Sequence, residues 1–190
     1  MKKIILFLTI VLLSAPLFAQ TIWKVDPNHS KLNFSTIHLG ISEVEGLFNK
    51  FDVTIETNEE DFSDAVFTLS VDMATIDTEI EMRDNHLKSP DFFDVENYPV
   101  MTFKSNSIQQ VEKNKYLLSG DLTLHGITKP VKMDLWYRGT IEDAKTKVST
   151  SGFQLTGTLN RSDFNIGPGF PEPLISDEVK IKADGEFIKQ

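Results

Sequence analysis

Arg83-Asp84-Asn85-His86-Leu87-Lys88-Ser89-Pro90-Asp91-Phe92-Phe93-Asp94-Val95-Glu96-Asn97-Tyr98-Pro99, running into Val100-Met101-Thr102-Phe103, breaks a pattern that holds on both sides of it. The flanking chain alternates apolar and polar residues with the period of two that half-buried strands require. This stretch reads instead as a short helix, a stop at Ser89-Pro90, an aromatic pair, a second stop at Pro99 and then a strand. In a β-rich chain such an interruption plugs an opening or covers a cavity. The second reading is preferred here, with a greasy rather than a reactive ligand beneath it.

Upstream of the break, Leu32, Phe34, Thr36 and His38 share one strand face. Phe51, Val53 and Ile55 share a second, and Ala65, Phe67, Leu69 and Val71 a third. Spacing then turns helical at Met73, Ile76, Ile80 and Leu87. Thr78-Glu79-Ile80-Glu81 fits a capping box, which predicts a helix of about ten residues whose apolar stripe packs on the sheet. Downstream, Tyr116, Leu118, Gly120, Leu122 and Leu124 alternate up to a tight His125-Gly126 corner. Val131, Met133, Leu135 and Tyr137 then oppose Lys132, Asp134, Trp136 and Arg138. Phe153, Leu155 and Leu159 follow, then an irregular loop over 161–173 and a last strand through Val179, Ile181, Ala183 and Phe187. About eight substantial strands joined mostly by short turns suggest a sandwich or an up-and-down barrel. Glycines at 120, 126, 139, 152, 157 and 185 favour an extended antiparallel eight-stranded barrel, because closure needs bends and bulges in long strands. Such a barrel holds one small ligand.

The first residues stand apart. Lys2 and Lys3 precede an apolar run from Ile4 to Leu13, and small residues lead to Ala19, which reads as a secretory signal over residues 1–19 cleaved after Ala19. The run is too short for a membrane anchor, which needs about 20 apolar residues. Residues 20–190 are then one exported domain. Removing the signal takes away two of the 19 basic residues and none of the 28 acidic ones, leaving 17 against 28, a net −11. That charge argues against nucleic acid or an anionic membrane as partner. The chain has no cysteine, so it needs no disulfide.

Chemistry is thinly represented. The four histidines, His29, His38, His86 and His125, show no metal-ligand spacing, so no metal is expected. Gly-x-Ser-x-Gly is absent, and so is a phosphate-cradling glycine motif, which leaves no catalytic residue to name. Arg83, inside the helical apolar stripe, either snorkels to water or is clamped by Asp91 or Asp94 across the bend; the structural clamp is the preferred reading. Phe92 and Phe93 cannot both face one core from the same side, so one plugs the mouth while the other packs outside or lines a cavity.

Four ordered motifs carry a family resemblance. Arg83-Asp84-x-His86-Leu87-x-Ser89-x-Asp91-Phe92-Phe93-Asp94-Val95 with Tyr98-Pro99 and Phe103-Lys104-Ser105 resembles the signature of the YceI-like family. Gly120-x-Leu122-Thr123-Leu124-His125-Gly126-Ile127-Thr128-Lys129-Pro130-Val131, Arg161-Ser162-Asp163-Phe164 and the opening Trp23-x-Val25-Asp26-x-x-His29-Ser30 are similar to its other motifs. Asn165 departs from the family, which often has Gly before Ile166. The resemblance implies a lipocalin-like barrel with an apolar tunnel, exported to the bacterial periplasm. It implies binding of a polyisoprenoid chain, an isoprenoid quinone or a fatty-acid-type amphiphile, without catalytic residues or a cofactor, and homodimers occur among its kind. Wall candidates are Phe34, Phe67, Leu69, Met101, Phe103, Leu122, Trp136 and Phe153, joined by Phe92 and Phe93 of the lid. Carriage, storage or sequestration of the lipid is the expected role. The alternative is an envelope stress-response or interaction protein whose lipid is only structural, and an enzyme acting on a lipid-derived substrate is the minority reading.

Overall fold

The structure, a computed structural model, describes residues 20–190. The expected secretory signal, residues 1–19, lies outside the described residues. In chain order the strands are β1 (Thr21–Val25), β2 (Lys31–His38), β3 (Ser42–Phe48), β4 (Phe51–Thr57), β5 (Val66–Asp72) and β6 (Ile76–Asp77). Then come helix α1 (Glu81–Lys88), β7 (Val100–Glu112), β8 (Lys115–Leu124), β9 (Ile127–Glu142), β10 (Ser149–Asn160) and β11 (Glu178–Lys189).

Every pairing is antiparallel, and the order β1-β4-β5-β7-β8-β9-β10-β11 returns to β1, closing an eight-stranded barrel. β11 pairs with β1 over Phe187 to Lys189 and with β2 over Lys180 to Asp184. β1 and β2 therefore lie in succession along β11, separated by a turn at Pro27–His29 that Asp26 caps through the Asn28 amide. β3 and β4 repeat the device opposite them, so the barrel wall extends beyond the closed ring as β2-β3-β6. Two-residue turns join β7 to β8 and β8 to β9. His125 and Gly126 both have positive φ (51° and 73°), the geometry whose twist matches flanking strands. A bulge where Gly152 faces Gly139 re-aims β10 against β9, as closure requires.

One barrel end is sealed by aromatics. Phe62 sits 5.4 Å from Trp23, 5.0 Å from Tyr137 and 4.9 Å edge-on from Phe153, ring centre to ring centre. Buried Tyr116 donates its hydroxyl to the Asp61 carbonyl at 2.6 Å, pinning the loop that carries Phe62. Pairs of this kind add about 0.5–1.5 kcal/mol each beyond area burial. Asp64 holds the same loop: its carboxylate accepts from the Thr57 hydroxyl, the Asn58 amide and side chain, and the Glu59 amide. Partial burial pushes its pKa up, but the hydrogen bonds from Thr57 and Asn58 outweigh that and bring it down to about 2. The opposite end, where β2 meets β3 and β8 meets β9, is covered by α1 and the long loop before β11.

Asp64 is depressed in the folded state, so its contribution is present above the ordinary carboxylate range and is lost as pH falls toward 2. Asp64→Ala is expected to cost roughly 1–3 kcal/mol at neutral pH. In urea titrations the gap between variant and parent should close below about pH 3; a gap independent of pH would assign the loop's stability elsewhere.

Candidate ligand-binding cavity

Inward side chains of the eight strands do not meet on the barrel axis. They leave a cavity of about 520 Å³ above the aromatic seal, within the range of roughly 300–1,000 Å³ typical of ligand sites. Phe34 on β2, Phe67 and Leu69 on β5, Met101 and Phe103 on β7, Leu122 on β8 and Phe153 on β10 all line it, as the alternation predicts. Val53, Met133, Leu155 and Ile181, which the sequence reading left out of the wall, line it too. Their inward faces were legible from the same alternation.

Trp136 is a correction. It lies between inward Leu135 and Tyr137 on β9, so the pleat turns its indole outward, where it is 43% exposed. The Arg138 guanidinium stacks 4.5 Å from its ring centre, a surface cation–π contact.

The covered end also differs from expectation. The capping box does not form: α1 has eight residues, Ile80 stands at its N-cap without a side-chain bond, and Met73 and Ile76 belong to other elements. Asp84 takes the Thr78 amide and hydroxyl instead, at 2.8 and 2.5 Å. No helix residue is fully buried, and Met82 is 81% exposed; the helix lies over the mouth with Arg83, His86 and Leu87 toward the cavity. Arg83 is not clamped by Asp91 or Asp94. Its guanidinium reaches back one turn, giving Nε to the Thr78 hydroxyl at 2.7 Å and Nη2 to the Thr78 carbonyl. Asp91 pairs with His86 Nε2 at 3.0 Å, and Asp94 accepts from the Asn97 side chain.

Both phenylalanines of the pair reach the cavity, because the chain coils tightly after α1. Phe93 and Val95 return their amides to the carbonyls of Leu87 and Lys88. Phe92 is buried and stacks on Phe170 at 4.8 Å, with the His86 ring edge-on at 5.0 Å. Phe93 meets Phe48 at 6.5 Å.

Phe170 comes from a loop with no periodic signal, and Arg161 holds that loop in place. Its guanidinium donates to the carbonyls of Ile166 and Gly167 (2.8 Å each), Ser176 (3.0 Å), Ile175 (3.1 Å) and Phe170. A half-buried cation thus gathers main-chain dipoles, and Phe164, Ile166 and Ile175 turn into the cavity around it. Asn165, after the turn that carries Phe164, adopts the left-handed conformation (φ 55°) that Asn tolerates well. Of the polar residues that line the cavity, Thr36, Thr78, Arg83, His86 and Arg161 are hydrogen-bonded within the protein at the covered end, and Ser30, Lys31, Asn33, His38 and Asp184 contribute further polar atoms on or beside β2 and β11. Such a chamber suits an apolar body with a small polar end at the mouth.

Among the described residues, Asp26, His29 and Glu186 bring carboxylate and imidazole atoms within 4.8 Å of one another, outside the cavity. Hydrogen bonding to Asp26 at 2.8 Å, reinforced by the charges of Asp26 and Glu186, raises the His29 pKa. That pairing closes the β1–β2 turn.

A family model described as the YceI-like domain matches residues 23–187. A UPF0312 protein of Staphylococcus aureus (strain N315) is 35% identical over 174 residues, covering 88% of this chain and 98% of its own. Among solved structures, Burkholderia cenocepacia BcnA superposes with a TM-score of 0.75 at 26% identity, over 85% of this chain and 98% of that one. A polyisoprenoid binding domain from Saccharophagus degradans shares the fold, with a TM-score of 0.64 at 16% identity, over 87% and 97% of the two chains.

The inward and outward assignments are separable by stability. Phe153→Ala should destabilise by about 3–5 kcal/mol in denaturant titrations, whereas Trp136→Ala should stay within about 0.5 kcal/mol of the parent. Equal costs would refute the orientation of β9 and β10.

Proposed function

The chain belongs to the YceI-like family, and on that premise we propose that it binds a long-chain isoprenoid, a polyprenyl chain or an isoprenoid quinone, or a similar amphiphilic lipid inside its barrel. The observation that carries this reading is the cavity itself: a chamber with a mostly apolar wall, packed with aromatics at one end and overlaid by α1 and the Arg161 loop at the other. Each CH₂ moved from water into such a space contributes about 0.8 kcal/mol, so a long tail is driven in without any specific polar contact. The polyisoprenoid chemistry of the Saccharophagus degradans domain comes to this chain as part of the proposal. Binding is non-enzymatic in this proposal, because Arg83, His86 and Arg161, the charged and titratable groups beneath the lid, are bonded to Thr78, Asp91 and main-chain carbonyls. The leader-like residues 1–19 favour a periplasmic setting, where carriage, storage or sequestration of a water-insoluble lipid would be useful.

Native mass spectrometry tests the proposal. The purified protein should carry a lipid-sized adduct that solvent extraction removes and that added long-chain prenol or isoprenoid quinone restores. Phe103→Asp, which sets a carboxylate in the chamber wall, should keep the far-ultraviolet signature of the barrel and take up no lipid. A wild-type protein without adduct that also fails to load prenols or quinones would end this reading.

A further inference from the structure

One row of residues runs around the wall in direct cross-strand register. Gly46 on β3 faces Phe34 on β2, Phe34 faces Ile181 on β11, and Ile181 faces Gly157 on β10. One step past the Thr156–Asp134 pair, Gly157 meets Met133 on β9, which faces Leu118 on β8. Phe34, Ile181, Met133 and Leu118 all line the cavity. The two longest side chains of the row thus each stand beside a glycine, and each lies over it. A Cβ on Gly46 would fall inside the contact distance of the Phe34 ring, 2.8 Å from Cε1, and equally close to Thr78 Cγ2. A Cβ on Gly157 would collide with Met133 Sδ. Neither glycine has the positive φ that would explain it by backbone conformation.

We propose that Gly46 and Gly157 are seats that hold Phe34 and Met133 flat against the wall, and that they make the bore of the cavity wide enough to admit a methyl-branched chain as well as a straight one. The proposal rests on the lipid-binding reading above and adds the width of chain it admits. A straight alkyl chain is a uniform narrow cylinder, whereas a prenyl chain carries a methyl on every fourth backbone carbon and needs extra width along its length. Adding a methyl to either seat lifts the covering side chain into the bore, and packed interiors do not absorb such volume without loss. Gly120, under Phe103, is a third seat, but a Cβ there would also strike the Lys104 carbonyl of β7. Its replacement would disturb the strand itself and is unsuited to the test.

The experiment compares geranylgeraniol with eicosanol, an unbranched alcohol of the same carbon number, by competition against a fluorescent lipid on wild-type protein, Gly46→Ala and Gly157→Ala. Each variant should lose about tenfold in affinity for geranylgeraniol while holding eicosanol within about twofold. Shortening the displaced side chain in the same molecule, Gly46→Ala with Phe34→Leu or Gly157→Ala with Met133→Ala, should restore geranylgeraniol. Thermal melts of all five proteins separate a changed bore from a damaged fold. Parallel loss of both alcohols, unchanged geranylgeraniol binding in folded single variants, or failure of the paired variants to recover would overturn the proposal. Wild-type protein that binds neither alcohol would overturn the lipid-binding reading and this inference with it.

Discussion

Closure of the sheet through β1 and β11 is the constraint on which everything else depends. The pairs Trp23–Lys189, Lys24–Ile188 and Val25–Phe187 join the first and last strands of the described chain, so the barrel has no free edge around its closed ring. Once closed, eight strands fix an interior whose size depends on strand number and tilt, and side chains then fill it or leave it hollow. Here they fill one end. Phe62, Trp23, Tyr137 and Phe153 occupy the axis there, and beyond them the inward residues only coat the wall.

The covered end is organised differently, by polar groups acting on main chain. Arg161 gathers five carbonyls, Arg83 and Asp84 hold Thr78 from two sides, and His125 Nδ1 lies 3.0 Å from the Phe164 carbonyl, tying the β8–β9 turn to the Arg161 loop. These contacts hold Phe92 and Phe170 over the chamber. Polar chemistry at this end therefore shapes a lid, and the apolar rings it positions supply the surface a ligand would touch.

Much of this could be read from residues alone, and the misses have physical causes. Strand faces such as Phe67-Leu69 and Met101-Phe103 were legible because a period of two survives in every long strand of a closed barrel. Trp136 was misplaced by its aromatic character, although its own alternation with Leu135 and Tyr137 pointed outward. The expected capping box failed because Asp84, six residues on, competes for the Thr78 amide and hydroxyl, a contact that depends on the fold of the bend. Arg83 was expected to seek a carboxylate and found a hydroxyl and a carbonyl instead. The work of Arg161 was hidden for a related reason: main-chain carbonyls leave no trace in side-chain identity. Phe170 and Ile175 enter the cavity from a loop without periodicity, so no pattern announced them.

The central claim is that an apolar chain lies inside the barrel, against the inward residues. Photo-crosslinking with a prenol carrying a diazirine near its tail, followed by peptide mapping, tests it most directly. The account predicts label on lumen residues such as Phe34, Met101, Phe103 and Phe153, competed away by unlabelled prenol. Label concentrated on the outer face around Trp136 and Arg138, or label that excess prenol does not displace, would contradict it.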